Sequence, residues 1–264
     1  MRRRLLTGAL YALSLAVGVV ALAYPFLLRA AGSGAAAGST VSAGPTPLLS
    51  VVLVTLCLAV LLVELQGQAA GAKTVAALGI LVAATATLRF IEVAIPAPGG
   101  FSPVFAPIIL GGYVFGARFG FLLGAMTMLV SGIITAGVGP WLPYQMFAAG
   151  WVGLSAGLLP HLRRPRAELA LLIAFAALWG FAYGAILNLY TWPLLVGDPG
   201  QTWSPGAGAA ETLRRYLAFY LATSLVWDSV GAAGNVVLLA ALGRPTLRAL
   251  ARFRDRLQFE VRPA

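Results

Sequence analysis

What most constrains this chain is a succession of apolar runs, all but one of about the length a helix needs to cross a hydrocarbon core of about 30 Å, which takes roughly 20 residues. They fall at Leu5–Leu28, Leu48–Gln66, Lys73–Ile95, Pro103–Gly116, Phe119–Val138, Trp141–Pro160, Leu169–Val196 and Tyr216–Leu242, the run from Pro103 being the shortest. Lipid offers no partner to a peptide N–H or C=O, so every such run must satisfy its own backbone as a helix. A barrel would need apolar and polar residues in alternation, and these runs are apolar on every side. Only 10% of the 264 residues are charged, against roughly 25% in a soluble domain. The sequence therefore predicts an all-α integral membrane protein with eight spans.

The basic residues orient those spans. With a cytoplasmic start, the inner segments carry Arg2, Arg3, Arg4, Lys73, Arg118, Arg163, Arg164, Arg166, Arg244, Arg248, Arg252, Arg254, Arg256 and Arg262. The outer segments carry Arg29, Arg214 and Arg215. This asymmetry follows the positive-inside rule with both termini in the cytoplasm. The net charge of +10 then reflects topology and contact with anionic lipid, not nucleic-acid binding. The first run has an Arg-rich start like a signal peptide, but its apolar stretch exceeds the usual core of one. It is expected to remain as a helix.

Three segments are expected. Residues 1–71 form an amino-terminal transmembrane hairpin and linker, because Ala30–Pro47 is rich in Gly, Ala and Ser and reads as a flexible loop. Residues 72–243 form a core of six helices, and 244–264 a basic cytoplasmic tail. In the tail Leu247, Leu250, Ala251 and Leu257 alternate with arginines. That pattern fits an amphipathic helix on the inner leaflet or a solvated stop after the last span. Three outer loops, around Pro96–Pro103, Gly137–Trp141 and Gly197–Arg215, emerge on one side and carry the Pro and Gly punctuation of segments that fold over a cavity.

Ionisable side chains inside spans are costly and mark either a paired structural contact or a site. Arg89 and Glu92 lie three residues apart on one face of a helix, at its outer end. They form an intrahelical ion pair or line the mouth of an outward pocket. Asp228, with Asn235 two turns deeper, needs a basic partner such as Arg89, or it contacts a ligand. Trp141, Tyr144 and Gln145 share a face near the outer surface, as an interfacial belt or as part of the same pocket. Asn188 and Trp192 sit similarly on the next span, and Phe101 lies in the first outer loop. Aromatic and amide groups converging at one leaflet suit a flat ligand with polar edges.

Catalytic signals are missing. Gly67–Thr74 resembles a phosphate-binding loop, but Ala72 interrupts the required Gly-Lys adjacency. The single histidine, His161, and the single cysteine, Cys57, have no companions at ligand spacing, so neither a metal site nor a cofactor is expected. Ser131 and Ser224 lack an adjacent base. The chain is not expected to be an enzyme.

Three stretches together carry a resemblance: Phe101-Ser102-Pro103-Val104-Phe105, Gly111-Gly112-Tyr113-Val114-Phe115-Gly116-Ala117-Arg118-Phe119-Gly120, and Gly139-Pro140-Trp141-Leu142-Pro143-Tyr144-Gln145-Met146-Phe147-Ala148-Ala149-Gly150-Trp151. The region from about Leu78 to Leu159 resembles substrate-specific (S) components of energy-coupling factor transporters, nearest the cobalamin-type (CbrT-like) subgroup. The resemblance implies a six-helix core with an extracellular vitamin site. It also implies partners: a transmembrane T component and two cytoplasmic ATPase subunits in the plasma membrane. Small residues at four-residue spacing on the first core helix contact the T component in such proteins. The matching positions here are Ala72, Ala76, Gly79 and Ala83, where small side chains permit close helix approach, although packing within the bundle would use them equally. The expected cargo is a vitamin or precursor, cobalamin or another corrinoid first. An ion-coupled secondary carrier and a non-transporting membrane scaffold are the alternatives.

Overall fold

The computed structural model describes residues 2–32, 51, 55, 59, 72–94 and 101–257. Among these residues the chain is helical, without strands. The elements are α1 (Arg2–Gly32), α2 (Ala72–Ala94), α3 (Phe105–Phe115), α4 (Ala117–Ile134), α5 (Leu142–Ala156), α6 (Pro165–Thr191), a 3-10 turn (Trp192–Leu194), α7 (Ala209–Thr223) and α8 (Leu225–Leu257). The all-α membrane architecture is the one the apolar runs require. Four of the described helices are long and apolar enough to cross a membrane, at Lys73–Ala94, Ala117–Ile134, Pro165–Leu194 and Leu225–Arg256. The expected second span, Leu48–Gln66, lies outside the described residues apart from helical positions at Val51, Thr55 and Ala59.

Two of the expected spans take a different form. The run from Pro103 becomes α3, whose 11 residues rise only about 16 Å, half of a hydrocarbon core. The expected last span, Tyr216–Leu242, is divided between α7 and α8 at Ser224 (φ −119°, ψ −29°). Hydroxyl chemistry explains the break. Ser224 Oγ accepts from Asn188 Nδ2 at 2.7 Å and lies 3.1 Å from Thr223 Oγ1, and such side-chain bonds compete with a helical backbone. Beyond residue 243, α8 continues without interruption through Pro245 to Leu257. Phe253 meets Phe115 edge-on at 6.3 Å, and Arg254 Nη1 donates to the Val114 carbonyl at 3.3 Å. The apolar side of this helical extension is thus partly covered by the end of α3.

The described chain clusters into two compact units. One comprises Ala69–Gly137, Met146–Tyr183 and Trp227–Ala264; the other comprises Met1–Gln68, Val138–Gln145 and Gly184–Val226. The first is a glycine-packed bundle. A methyl group on Gly153 of α5 would fall inside contact distance of the Gly120 carbonyl of α4, and one on Gly124 would meet the Ala149 carbonyl. Backbones this close need glycine because any Cβ would hold them apart. Between α3 and α4 the chain reverses at Gly116, whose φ of +96° is open to glycine. The Gly116 N–H caps α3 by donating to Gly112 O at 2.8 Å. These approaches leave α4 the most enclosed span, with 61% of its apolar window buried against 28% for the first. Gly180 on α6 makes a similar close crossing with Ala232 on α8, where an added methyl would sit 2.6 Å from Cα.

At this same end of α3, Tyr113 Oη donates to Glu168 Oε1 at 2.7 Å, and His161 stacks on the Tyr113 ring at 4.3 Å. These contacts tie α3 to the start of α6 and give His161 a structural role.

Candidate functional site

The polar cluster of the glycine-packed unit starts on α2. Its inward face carries Ala77, Leu78, Val82, Thr85 and Ala86, all buried, at the spacing of one helical stripe. Further along, Arg89 and Glu92 are half-buried on the same side. The segment entering α3 folds back over this end of the helix through three contacts. Ser102, itself buried, donates its hydroxyl to Glu92 Oε2 at 2.6 Å. Phe105 packs edge-on against Tyr183 of α6, with ring centroids 4.7 Å apart. Phe101 lies on Gly234 of α8, so closely that a methyl there would enter its ring. A five-residue stretch is therefore fixed to α2, α6 and α8 together.

Among the described residues of this unit, four polar side-chain atoms are buried without a hydrogen-bond partner: Thr127 Oγ1, the Tyr183 hydroxyl, Asn235 Oδ1 and Arg244 Nε. Asn235 is 1% exposed and follows Gly234 directly. Tyr183 is half-exposed as a residue, but its hydroxyl oxygen is enclosed. Arg89 is near enough for its charge to act on both Glu92 and Tyr183. Asp228, in the first turn of α8, belongs to the same unit and is half-buried.

The remaining expected site residues belong to the second unit, which is built on aromatic rings. Trp192 is 1% exposed, enclosed by Phe26 at 6.1 Å and Tyr216 at 4.9 Å, and its indole Nε1 donates to Gln201 O at 2.7 Å. Tyr144 stacks on Tyr190 at 4.1 Å beside Ala21 of α1. Asn188 donates to Ser224, as described, and the Tyr216 hydroxyl donates to the Ala185 carbonyl. Trp141 is 47% exposed and lies over Gly139, and Gln145 is half-buried. α1 thus supplies side chains to this aromatic core. Of the nine expected site residues, the structure brings Arg89, Glu92 and Phe101 into one cluster and places Asp228 in their unit. Tyr144, Asn188 and Trp192 lie in the aromatic unit with Trp141 and Gln145.

Sequence reasoning missed Ser102, Phe105 and Tyr183 as members of the cluster. Ser102 and Phe105 stand inside a motif that was visible. Tyr183 had no local signal, because only the α6 packing brings it to Phe105.

Of the expected docking residues, Ala76, Gly79 and Ala83 are all exposed on the side of α2 opposite its buried stripe, and nothing lies within 4 Å of a methyl added at Gly79. Among the described residues no group of three His, Cys, Asp or Glu side chains is placed to hold a metal.

A long, glycine-packed membrane bundle with a capped polar cluster at one helix end has the form of a membrane protein that holds a small solute. The family model for the substrate-specific component of ECF transporters matches residues 73–243, and the chain belongs to that family. It is a multi-pass plasma-membrane protein, the substrate-binding subunit of an importer and not an enzyme. Neither the curated proteins nor the solved structures compared with it give a significant match.

Proposed function

We propose that this subunit captures a vitamin or vitamin precursor on the outer face of the membrane, at the cluster formed by Arg89, Glu92, Phe101, Ser102 and Tyr183. The observation that carries this reading is the Phe101–Phe105 stretch, which closes over two half-buried charges inside the family-matched region. Ionisable groups held at a helix end in a membrane bundle, with an enclosed hydroxyl beside them, are suited to recognising a polar solute. Asp228, of the same unit, is a supporting residue of that cluster, whereas Trp141, Tyr144, Gln145, Asn188 and Trp192 remain sequence-based candidates within the aromatic unit. A corrinoid such as cobalamin is the first choice of cargo, from the resemblance of the motifs to the cobalamin-type subgroup.

Energy comes from partners in this account, since the chain carries no ATPase motif. The exposed small-residue face of α2 at Ala76, Gly79 and Ala83, with Ala72 as the fourth position of the sequence pattern, docks the T component, which two cytoplasmic ATPases drive. Both termini face the cytoplasm. The test is a thermal-shift and radioligand screen of the purified, detergent-solubilised subunit against corrinoids, flavins, thiamin, biotin, folates and nucleobase-like precursors. A ligand that binds only the folded state stabilises it by mass action, so the account predicts one strong hit without any ATPase present. Silence across the whole panel contradicts it.

A further inference from the structure

The polar cluster contains more donors than acceptors. Arg89 carries a permanent charge and five N–H donors, yet among the described residues it forms no hydrogen bond and no ion pair. Its neighbour Glu92 is the obvious acceptor, one turn away, but the Ser102 hydroxyl occupies Glu92 Oε2 at 2.6 Å. The enclosed Tyr183 hydroxyl also lacks an acceptor. It stands where the Arg89 charge reaches it, with its ring fixed against Phe105 at 4.7 Å. A buried hydroxyl without a partner is costly to a fold, and an unengaged guanidinium within a membrane span more so.

The geometry points to an anionic group on the substrate, a carboxylate or a phosphate ester, received between the Arg89 guanidinium and the Tyr183 hydroxyl. Two unengaged donors from different helices, α2 and α6, define a place for one shared acceptor. A planar guanidinium suits a two-oxygen anion. Glu92 stays held by Ser102, which keeps the neighbouring carboxylate turned to its own donor. Phe101 and Phe105 then close the apolar side above it. This inference rests on the capture role proposed above and narrows it. A corrinoid would be recognised through the phosphodiester of its nucleotide loop, and a smaller vitamin through its carboxylate.

Matched pairs of probes test it on the purified full-length subunit. Cyanocobalamin is compared with dicyanocobinamide, which lacks the phosphodiester. Biotin is compared with biotinamide, nicotinate with nicotinamide and pantothenate with pantothenol. For whichever pair binds, the anionic member should bind at least about tenfold more tightly, the effect of one charge-assisted hydrogen bond. Arg89→Gln should bring the two members to near-equal affinity, and Tyr183→Phe, nearly isosteric, should reduce the preference by a smaller factor. Arg89→Lys guards against loss of folding: it keeps the charge and should retain part of the preference. A pair whose neutral member binds as well as its anionic one overturns this inference and leaves the capture role standing. No binding by any of these probes overturns the inference, and the capture role falls with it only if the wider screen above is silent too.

Discussion

The crossing of α4 and α5 gives a sharp test of the packing, through Gly153→Ala. An added Cβ would lie 2.9 Å from Gly120 Cα and nearer still to its carbonyl oxygen, whereas ordinary contact begins at 3.4 Å. Neither obstacle is a side chain that could rotate away, so the two helices must part by roughly half an ångström or more. Overpacking of this kind costs about 1–3 kcal/mol, and a backbone-on-backbone clash belongs at the upper end. Replacing Gly by Ala inside a helix returns about 1 kcal/mol. The net loss is therefore about 2 kcal/mol, which for a chain of this size lowers Tm by roughly 4–8 °C. Gly79→Ala is the control: nothing lies within 4 Å of its added methyl, so it should be neutral or stabilising by about 0.5–1 kcal/mol. Both are measured by thermal unfolding of the isolated subunit in one detergent. If Gly153→Ala melts no lower than Gly79→Ala, the close approach of α4 and α5 is not what holds this bundle together.

Further consequences can be checked in the same preparation. Ser102→Ala removes the hydroxyl that holds Glu92 and should lower unfolding stability by about 2 kcal/mol, the worth of a hydrogen bond to a charged group, as read by denaturant titration. Ala76→Trp and Ala83→Trp project bulk from the exposed face of α2, so co-purification with the T component should fail while ligand binding persists. Trp192→Phe loses the donor to Gln201 and should destabilise by about 1 kcal/mol, visible as a lower melting temperature. At the start of α7, hydrogen bonds from Arg214 and Arg215 hold the Glu211 carboxyl well below its ordinary range, at about 2. A depressed folded-state value stabilises above the unfolded one near 4.5 and is lost as pH falls toward 2. Protection of the amides in the first turn of α7, corrected for the intrinsic pH dependence of exchange, should therefore fall over that acidic interval, and Glu211→Gln should abolish that fall.

Much of the fold was legible because lipid imposes simple rules. Apolar length gave the helices around Lys73–Ala94, Ala117–Ile134 and Pro165–Leu194 nearly as observed, and the scarcity of charge excluded other classes. What length alone does not reveal is where hydroxyls break a helix, which is how Ser224 divides an apparently continuous last span. Nor does it reveal when a run such as Phe105–Phe115 is buried by neighbours instead of spanning alone. In the site, Arg89 and Glu92 stood out because charge in a span is rare, and Phe101 because its motif was distinctive. Tyr183 did not, since a tyrosine in a span is common and its place beside Phe105 depends on helix packing. Trp192 stood out for its position, but its surroundings are a closed aromatic core that uses its N–H internally.

The central claim is that this subunit loads substrate by itself and delivers it only through partners. The most direct measurement is uptake of the screened ligand, radiolabelled, into proteoliposomes holding this subunit with or without the T component and ATPases. The account predicts accumulation that requires all components and ATP hydrolysis, with binding but no accumulation by the subunit alone. Accumulation by the subunit alone, driven by an imposed ion gradient, would contradict it and identify an ion-coupled carrier instead.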